Sequence, residues 1–134
     1  MGEMNIVFAA PDDETAIARL GDLLPGSPTH NDDGLRPEVL ADLETHLTGR
    51  NAQDIAADPR HCAQITQIFD EGAGVTEAAL LTITDTLTHA LAAADAETLS
   101  TAAASYSDYT VKGLATVARH ATTHSHHMYT FWYF

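Results

Sequence analysis

The chain has 134 residues, and its 6 basic and 19 acidic side chains give a formal charge of 6 − 19 = −13. This acidic balance, with a pI near 4.6, excludes a general nucleic-acid binder, which needs basic surface to meet phosphate. A mean hydropathy of −0.11 and the lack of an apolar run of about 18 residues exclude a membrane-spanning helix. The 45% hydrophobic content is enough for the packed core of one domain over residues 1–134.

The negative charge is concentrated in the first part of the chain. Residues 1–77 carry 15 acidic and 4 basic side chains, a net charge of −11, whereas residues 78–134 carry 4 and 2, a net charge of −2. This predicts an acidic surface, which serves either to keep the protein in solution or to dock a basic partner protein. Cys62 is the only cysteine and no signal peptide precedes the first strand, so we expect a cytoplasmic protein without an internal disulfide.

The chain begins with a strand, a helix and a loop. Residues 4–9 are apolar and rich in β-formers, which predicts a strand. Pro11 and the three acidic residues after it favour the start of a helix, and apolar residues at helical spacing extend it over about 12–24. Proline, glycine and asparagine then predict a loop over 25–35.

Three helices are predicted next. Pro37 suits the first turn of a helix that ends at Gly49, and a short helical turn over 51–57 follows. Asp58-Pro59 restarts a helix that ends at Gly72, with Cys62 on its apolar stripe. We therefore interpret Cys62 as a buried structural thiol.

The second half of the chain is predicted to begin with its longest helix. Thr76 is a suitable N-cap, and leucine and isoleucine repeat every three or four residues over 76–94. Alternating threonines in the same segment are compatible with a strand, but alanine content and length favour the helix. Asp95 caps a further helix and Asp108 opens the last one. The last helix is expected to turn these residues inward: Val111, Leu114, Val117, Ala118 and Ala121.

The segment 128–134 contains five aromatic residues in seven and no charge, which is the strongest strand signal in the chain. We expect it to pair with 4–9 beneath a helical layer, in a mostly helical α+β domain whose small sheet contains both terminal strands. Alternation places Tyr129, Phe131 and Tyr133 on one face. These three aromatic residues either pack in the core or bind a partner protein or a second copy of the chain.

The order of elements also carries a resemblance to a known family. Pro11-Asp12-Asp13-Glu14 opens the helix after the first strand, and Leu47-Thr48-Gly49 ends a later one. Val75-Thr76-Glu77-Ala78-Ala79 opens a long helical segment, and a hydrophobic strand follows the last helix. In these features the chain resembles the YfbM-like family of small bacterial proteins of unknown function. The resemblance implies a fold and supplies no catalytic residue.

Four of the eight histidines lie within eight residues, at the junction between the last helix and the last strand. His120 and His124 are four residues apart and share a helix face, so both can reach one metal ion. Zinc, nickel or copper suits imidazole ligands. His127 is the first choice for a third ligand, and Asp108 and His89 are alternatives. The other interpretations are a solvated, histidine-rich loop and a pH-sensitive contact.

No catalytic set is apparent, since neither a Gly-x-Ser-x-Gly nor a His-Glu-x-x-His motif occurs. Whether the protein is an enzyme is left open. The sequence favours a non-enzymatic interaction or regulatory protein with an acidic surface, which binds another protein or itself. The alternative is a small metal-binding protein or metalloenzyme that uses the segment from His120 to His127. In the first case no cofactor is needed, and in the second it is a transition metal ion.

Overall fold

The computed structural model describes residues 4–19, 28–68 and 78–133, and these form the expected α+β fold. The strands are β1 (Met4–Ala10), β2 (His30–Asp32), β3 (Gln64–Ile68), β4 (Ala78–Thr82) and β5 (His127–Tyr133). The helices are α1 (Asp13–Ala18), α2 (Pro37–Thr48), α3 (Ala52–Ala57), α4 (Asp85–Ala93), α5 (Ala96–Ala103) and α6 (Asp108–Thr123). None of the helices in these ranges is long and apolar enough to cross a membrane.

The strands form one antiparallel sheet in the order β2-β1-β5-β4-β3. The predicted pairing of the first and last strands is confirmed, because β1 and β5 match residue by residue from Met4↔Tyr133 to Ala10↔His127. The sheet is larger than the two strands that the sequence identified. β5 lies at its centre, and β2 and β3 lie at its edges.

The two faces of the sheet are covered differently. Val7 and Met128 face the main core, which is filled by residues of α2, α4, α5 and α6. Phe8 and Tyr129 lie on the opposite face, where their rings stack with centroids 5.7 Å apart and Ala16 of α1 packs against them. Phe131 joins this second cluster, so the predicted alternation of β5 is confirmed.

The helix predicted over 58–72 is wrong. Residues 64–68 form the edge strand β3, while 69–72 lie outside the described residues. Cys62 has φ = 43°, a left-handed conformation that cannot continue a helix. The spacing of apolar residues fits a helix, but Ile65 and Thr66 are β-branched and the segment pairs with β4. Tertiary pairing therefore decides the structure here.

The long helix predicted over 76–94 is also wrong. Residues 78–82 form β4, and the helix begins only at Asp85, with Thr84 as its N-cap. All five residues of β4 are buried, so the strand shows no alternation of polar and apolar side chains. A short buried strand and a buried helix cannot be told apart by periodicity alone. Thr76, the predicted N-cap, lies outside the described residues.

The remaining predictions agree with the structure apart from small shifts. Asp12 caps α1, whose last residue is Ala18, and residues 20–24 of the predicted helix lie outside the described ranges. The segment predicted as a loop over 25–35 contains β2. α2, α3 and α5 are confirmed, and Asp95 caps α5 as predicted. α6 is confirmed with its inward residues and begins at Asp108 as predicted, with Ser107 as its N-cap.

Glu44 of α2 is a buried carboxylate that ties three elements together. Its side chain is 1% exposed and pairs with the Arg50 guanidinium, with 2.5 Å between Oε2 and Nη1. Its other oxygen accepts a hydrogen bond from Thr84, whose hydroxyl also caps α4. Arg50 in turn donates to the Asp54 carbonyl of α3. A buried charge costs several kcal/mol unless it is paired, so these contacts are mutually dependent.

We predict that Arg50→Met destabilises the protein by about 3 kcal/mol, because it leaves the Glu44 carboxylate buried without its counter-ion. Urea unfolding measures this change. Lys112→Met is the matched control, because it breaks the exposed Asp108–Lys112 pair of α6, with 3.9 Å between Nζ and Oδ2. That pair should be worth less than about 0.5 kcal/mol. Equal losses in the two variants would contradict the assigned role of Glu44.

Candidate functional site

A groove of about 490 Å³ lies between the edge strand β2 and one face of α6; we call it the β2–α6 groove. Its residues come from two short stretches of chain: Thr29 with His30 and Asn31 of β2, and Asp108, Tyr109, Lys112, Gly113 and Thr116 on α6. The spacing of the α6 residues places them on one face of the helix. Tyr109 is 64% exposed, the highest value among the large hydrophobic side chains that the structure describes.

A polar network holds the groove together. The Tyr109 hydroxyl donates to the Asn31 carbonyl at 2.6 Å, and the Thr110 hydroxyl donates to Asp32 Oδ2 at 2.6 Å. His30 Nε2 lies 2.8 Å from the same Asp32 oxygen. Burial acts to raise the pKa of Asp32, but hydrogen bonds from Thr110, His30 and a backbone amide outweigh it and lower the pKa. Since Asp32 is ionised, Nε2 of His30 carries the proton.

Gly113 allows the His30 ring to lie against α6. His30 is 4% exposed, and a Cβ added to Gly113 would lie 2.0 Å from its Nδ1. His30 also lies beside the Tyr109 ring, with centroids 4.8 Å apart. His30, Tyr109 and Gly113 were not predicted as site residues from the sequence. The available signal was an isolated glycine inside a strongly amphipathic helix, which often marks a close approach of another group.

The histidines at the end of α6 form a second candidate site, which we call the histidine cluster: His120, His124 and His126. The rings of His120 and His124 stack with centroids 4.2 Å apart, and His126 lies 5.9 Å and 5.7 Å from them. Ser125, with φ = 56°, turns the chain so that His126 comes back toward the helix. Burial, followed by neighbouring charged groups, lowers the pKa of His120 and of His126.

His127, the predicted third metal ligand, belongs to a different network. Its Nδ1 lies 2.7 Å from Asp85 Oδ1. Asp85 also lies 3.6 Å from Nε of Arg60, which pairs with Asp13 at 3.3 Å. The structure therefore brings His120 and His124 together, adds His126 to them, and directs His127 toward α4. In the portions of chain described, no group of three or more His, Cys, Asp or Glu side chains is arranged to hold a metal ion.

Two of the three β5 aromatic residues predicted to bind a partner, Tyr129 and Phe131, lie on the sheet face covered by α1. Tyr129 is fully buried, and its hydroxyl donates to Asp13 Oδ1 at 2.7 Å. Burial and this hydrogen bond raise the pKa of Tyr129, and the same bond lowers the pKa of Asp13. Phe131 is partly exposed, and the side chain of Tyr133 lies outside the described part. A role of these residues in partner binding stays a prediction.

Comparison of the chain with family models, curated proteins and solved structures finds no match. The resemblance to the YfbM-like family therefore stays a prediction.

We predict that Gly113→Ala destabilises the protein by about 1–3 kcal/mol, because the added methyl group overlaps His30 and the buried ring must move. Urea unfolding measures the loss. Thr116→Ala, at an exposed position of the same helix, is the control, since it also raises helix propensity, by less than about 1 kcal/mol, without moving a buried ring. In the Gly113→Ala variant the amide signals of His30 and Asp32 should also shift, and unchanged signals would contradict the contact.

Stability should fall in two stages as the pH is lowered. The unfolded chain protonates His120 and His126 near pH 6.5, whereas the folded protein binds these protons at lower pH, so stability decreases below about pH 6.5. Asp13 and Asp32 have lowered pKa values in the folded state. Their contribution is therefore complete above about pH 4 and is lost below it.

Urea midpoints measured near pH 8, 5.5 and 3.5 test these two stages. Replacing both His120 and His126 by glutamine should remove the first stage and leave the second. His89→Gln, on an exposed position of α4, is the control and should leave both stages in place. A first stage that survives in the double variant would show that other groups cause it.

Proposed function

We propose that the protein is a non-enzymatic interaction module that binds a basic, extended segment of a partner protein in the β2–α6 groove. The observation that carries this proposal is the groove itself, which combines an edge strand with an exposed tyrosine. Addition of an extended peptide to a sheet edge beside a helix is a recurring mode of peptide recognition.

The edge strand supplies backbone groups for such a segment. Within the described chain, β2 has β1 as its only strand partner, through three residue pairs from Asn5↔Asp32 to Val7↔His30. An edge strand presents backbone N–H and C=O groups toward an incoming strand. The Tyr109 hydroxyl donates a hydrogen bond to the Asn31 carbonyl oxygen. The tyrosine side chain therefore lies next to the backbone edge to which we propose that the peptide binds.

Charge favours a basic segment. The whole chain has a formal charge of −13, Asp108 lines the groove at an exposed position, and Asp33, directly after β2, is also exposed. The ion pair between Asp108 and Lys112 is exposed, and its Nζ–Oδ2 distance is 3.9 Å, so it is weak. The Asp108 carboxylate can therefore pair with a lysine or arginine of the partner instead. The face of Tyr109 offers a cation–π contact to a lysine or arginine side chain. An acidic protein also accelerates the encounter with a basic partner.

A peptide of alternating lysine and valine, about eight residues long as in an ordinary strand, is a suitable probe. Fluorescence anisotropy measures its binding to the intact protein. Thr116→Arg places bulk and positive charge in the groove and should weaken binding by about tenfold or more. The same peptide with glutamate in place of lysine should not bind.

Thr101→Arg is the matched control for this experiment. Thr101 of α5 is exposed like Thr116, and its hydroxyl also donates to the carbonyl four residues earlier. Both variants change the net charge equally, so only the variant inside the groove should lose affinity. Equal weakening by both would mean that binding is a general effect of acidic surface, and this result, like the absence of any binding, would overturn the proposal.

A further inference from the structure

We infer that Tyr109 guards the open edge of β2: its hydroxyl covers this edge in the free protein and is displaced when an extended peptide binds there. The inference rests on the proposed function, because it concerns how peptide binding in the β2–α6 groove is controlled. Its basis is the hydrogen bonding of two backbone groups at the edge and the exposure of the tyrosine ring.

Side chains already hold backbone groups at this edge. The Tyr109 hydroxyl donates to the carbonyl oxygen of Asn31, the middle residue of β2, at 2.6 Å. The backbone amide of Asp33, directly after the strand, donates to Asp32 Oδ1 at 2.8 Å. A peptide that adds a strand pairs through backbone N–H and C=O groups of this kind. Its N–H group therefore competes with the Tyr109 hydroxyl for the Asn31 oxygen.

The two side chains differ in how firmly they are held. Asp32 is fixed by further contacts, since its Oδ2 accepts from the Thr110 hydroxyl at 2.6 Å and lies 2.8 Å from His30 Nε2. Tyr109 is 64% exposed and packs beside the His30 ring on one side. Exposed side chains change rotamer within nanoseconds. Tyr109 is therefore the side chain that moves when a peptide arrives, while Asp32 keeps its hydrogen bonds.

Guarding accounts for a large side chain that is left in water. β2 has three residues, and an uncovered edge strand pairs with other chains unless the protein protects it. The Tyr109 hydroxyl satisfies the Asn31 carbonyl without adding a strand. A basic segment replaces this hydrogen bond with one from its own backbone, and its cations gain contacts with Asp108 and with the freed ring. The guard therefore favours basic segments over other extended chains.

Tyr109→Phe tests the guard because it removes the hydroxyl and keeps the ring. No side-chain hydrogen bond then has to be broken on binding. We expect this variant to bind the alternating lysine–valine peptide about threefold to tenfold more tightly than the unmodified protein in the same anisotropy titration. Tyr106→Phe is the matched control. It removes a tyrosine hydroxyl that donates to Asp42 of α2, outside the groove, and should leave the affinity unchanged.

A second measurement follows the hydrogen bond without any peptide. In the NMR spectrum of the free protein, the carbonyl carbon resonance of Asn31 should move in Tyr109→Phe and stay in place in Tyr106→Phe. Circular dichroism and the thermal midpoint establish that each variant is folded. Tyr109→Phe should be close to the unmodified protein in both, since the side chain is exposed.

The possible results separate the guard from the proposed function. Equal or weaker peptide binding by Tyr109→Phe would overturn the guard and leave the proposed function in place, and an unmoved Asn31 resonance would do the same. Binding by Tyr109→Phe but not by the unmodified protein would support the guard and contradict the proposed function. If neither protein binds the peptide, both are wrong.

Discussion

The pairing of β1 with β5 is the contact on which the rest of the fold depends. Seven residue pairs join strands that are more than one hundred positions apart in sequence, and β5 also pairs with β4 on its other side. Without β5 the sheet would separate into β2-β1 and β4-β3, and isolated two-stranded ribbons are marginal in water. The helical layer packs on Val7, Ala9 and Met128, so it too needs this pairing to have a surface to cover.

α6 connects this core to both candidate sites. Its inward face is buried in the main core, where Val111 and Leu114 are completely covered. Its first half forms one wall of the β2–α6 groove, and its end carries the histidine cluster. A rigid, well-packed helix holds side chains in more definite positions than a loop does. Both candidate sites therefore depend on the same packed helix, and a substitution that disturbs the packing of α6 would affect both of them.

The sequence predicted the parts of the fold that carry local signals. Caps, prolines and amphipathic spacing identified α2, α5 and α6, and the aromatic run identified β5. β3 and β4 were missed because their residues fit a helix equally well, and only pairing with a distant strand decides their conformation. The same limit applies to the sites. His120 and His124 follow from spacing, whereas the approach of His30 to Gly113 is made by the tertiary structure alone.

The position of β5 in the sheet has a consequence for synthesis on the ribosome. Translation produces β1, β2, β3 and β4 before the strand that joins them, since β5 follows α6 in the chain. Until it emerges, β1 and β4 lack their shared partner, so the strand pairs β2-β1 and β4-β3 are marginal and their inner edges are open to other polypeptides. The sheet therefore closes only when β5 is added, and chaperones that shield strand edges would act in the interval before it.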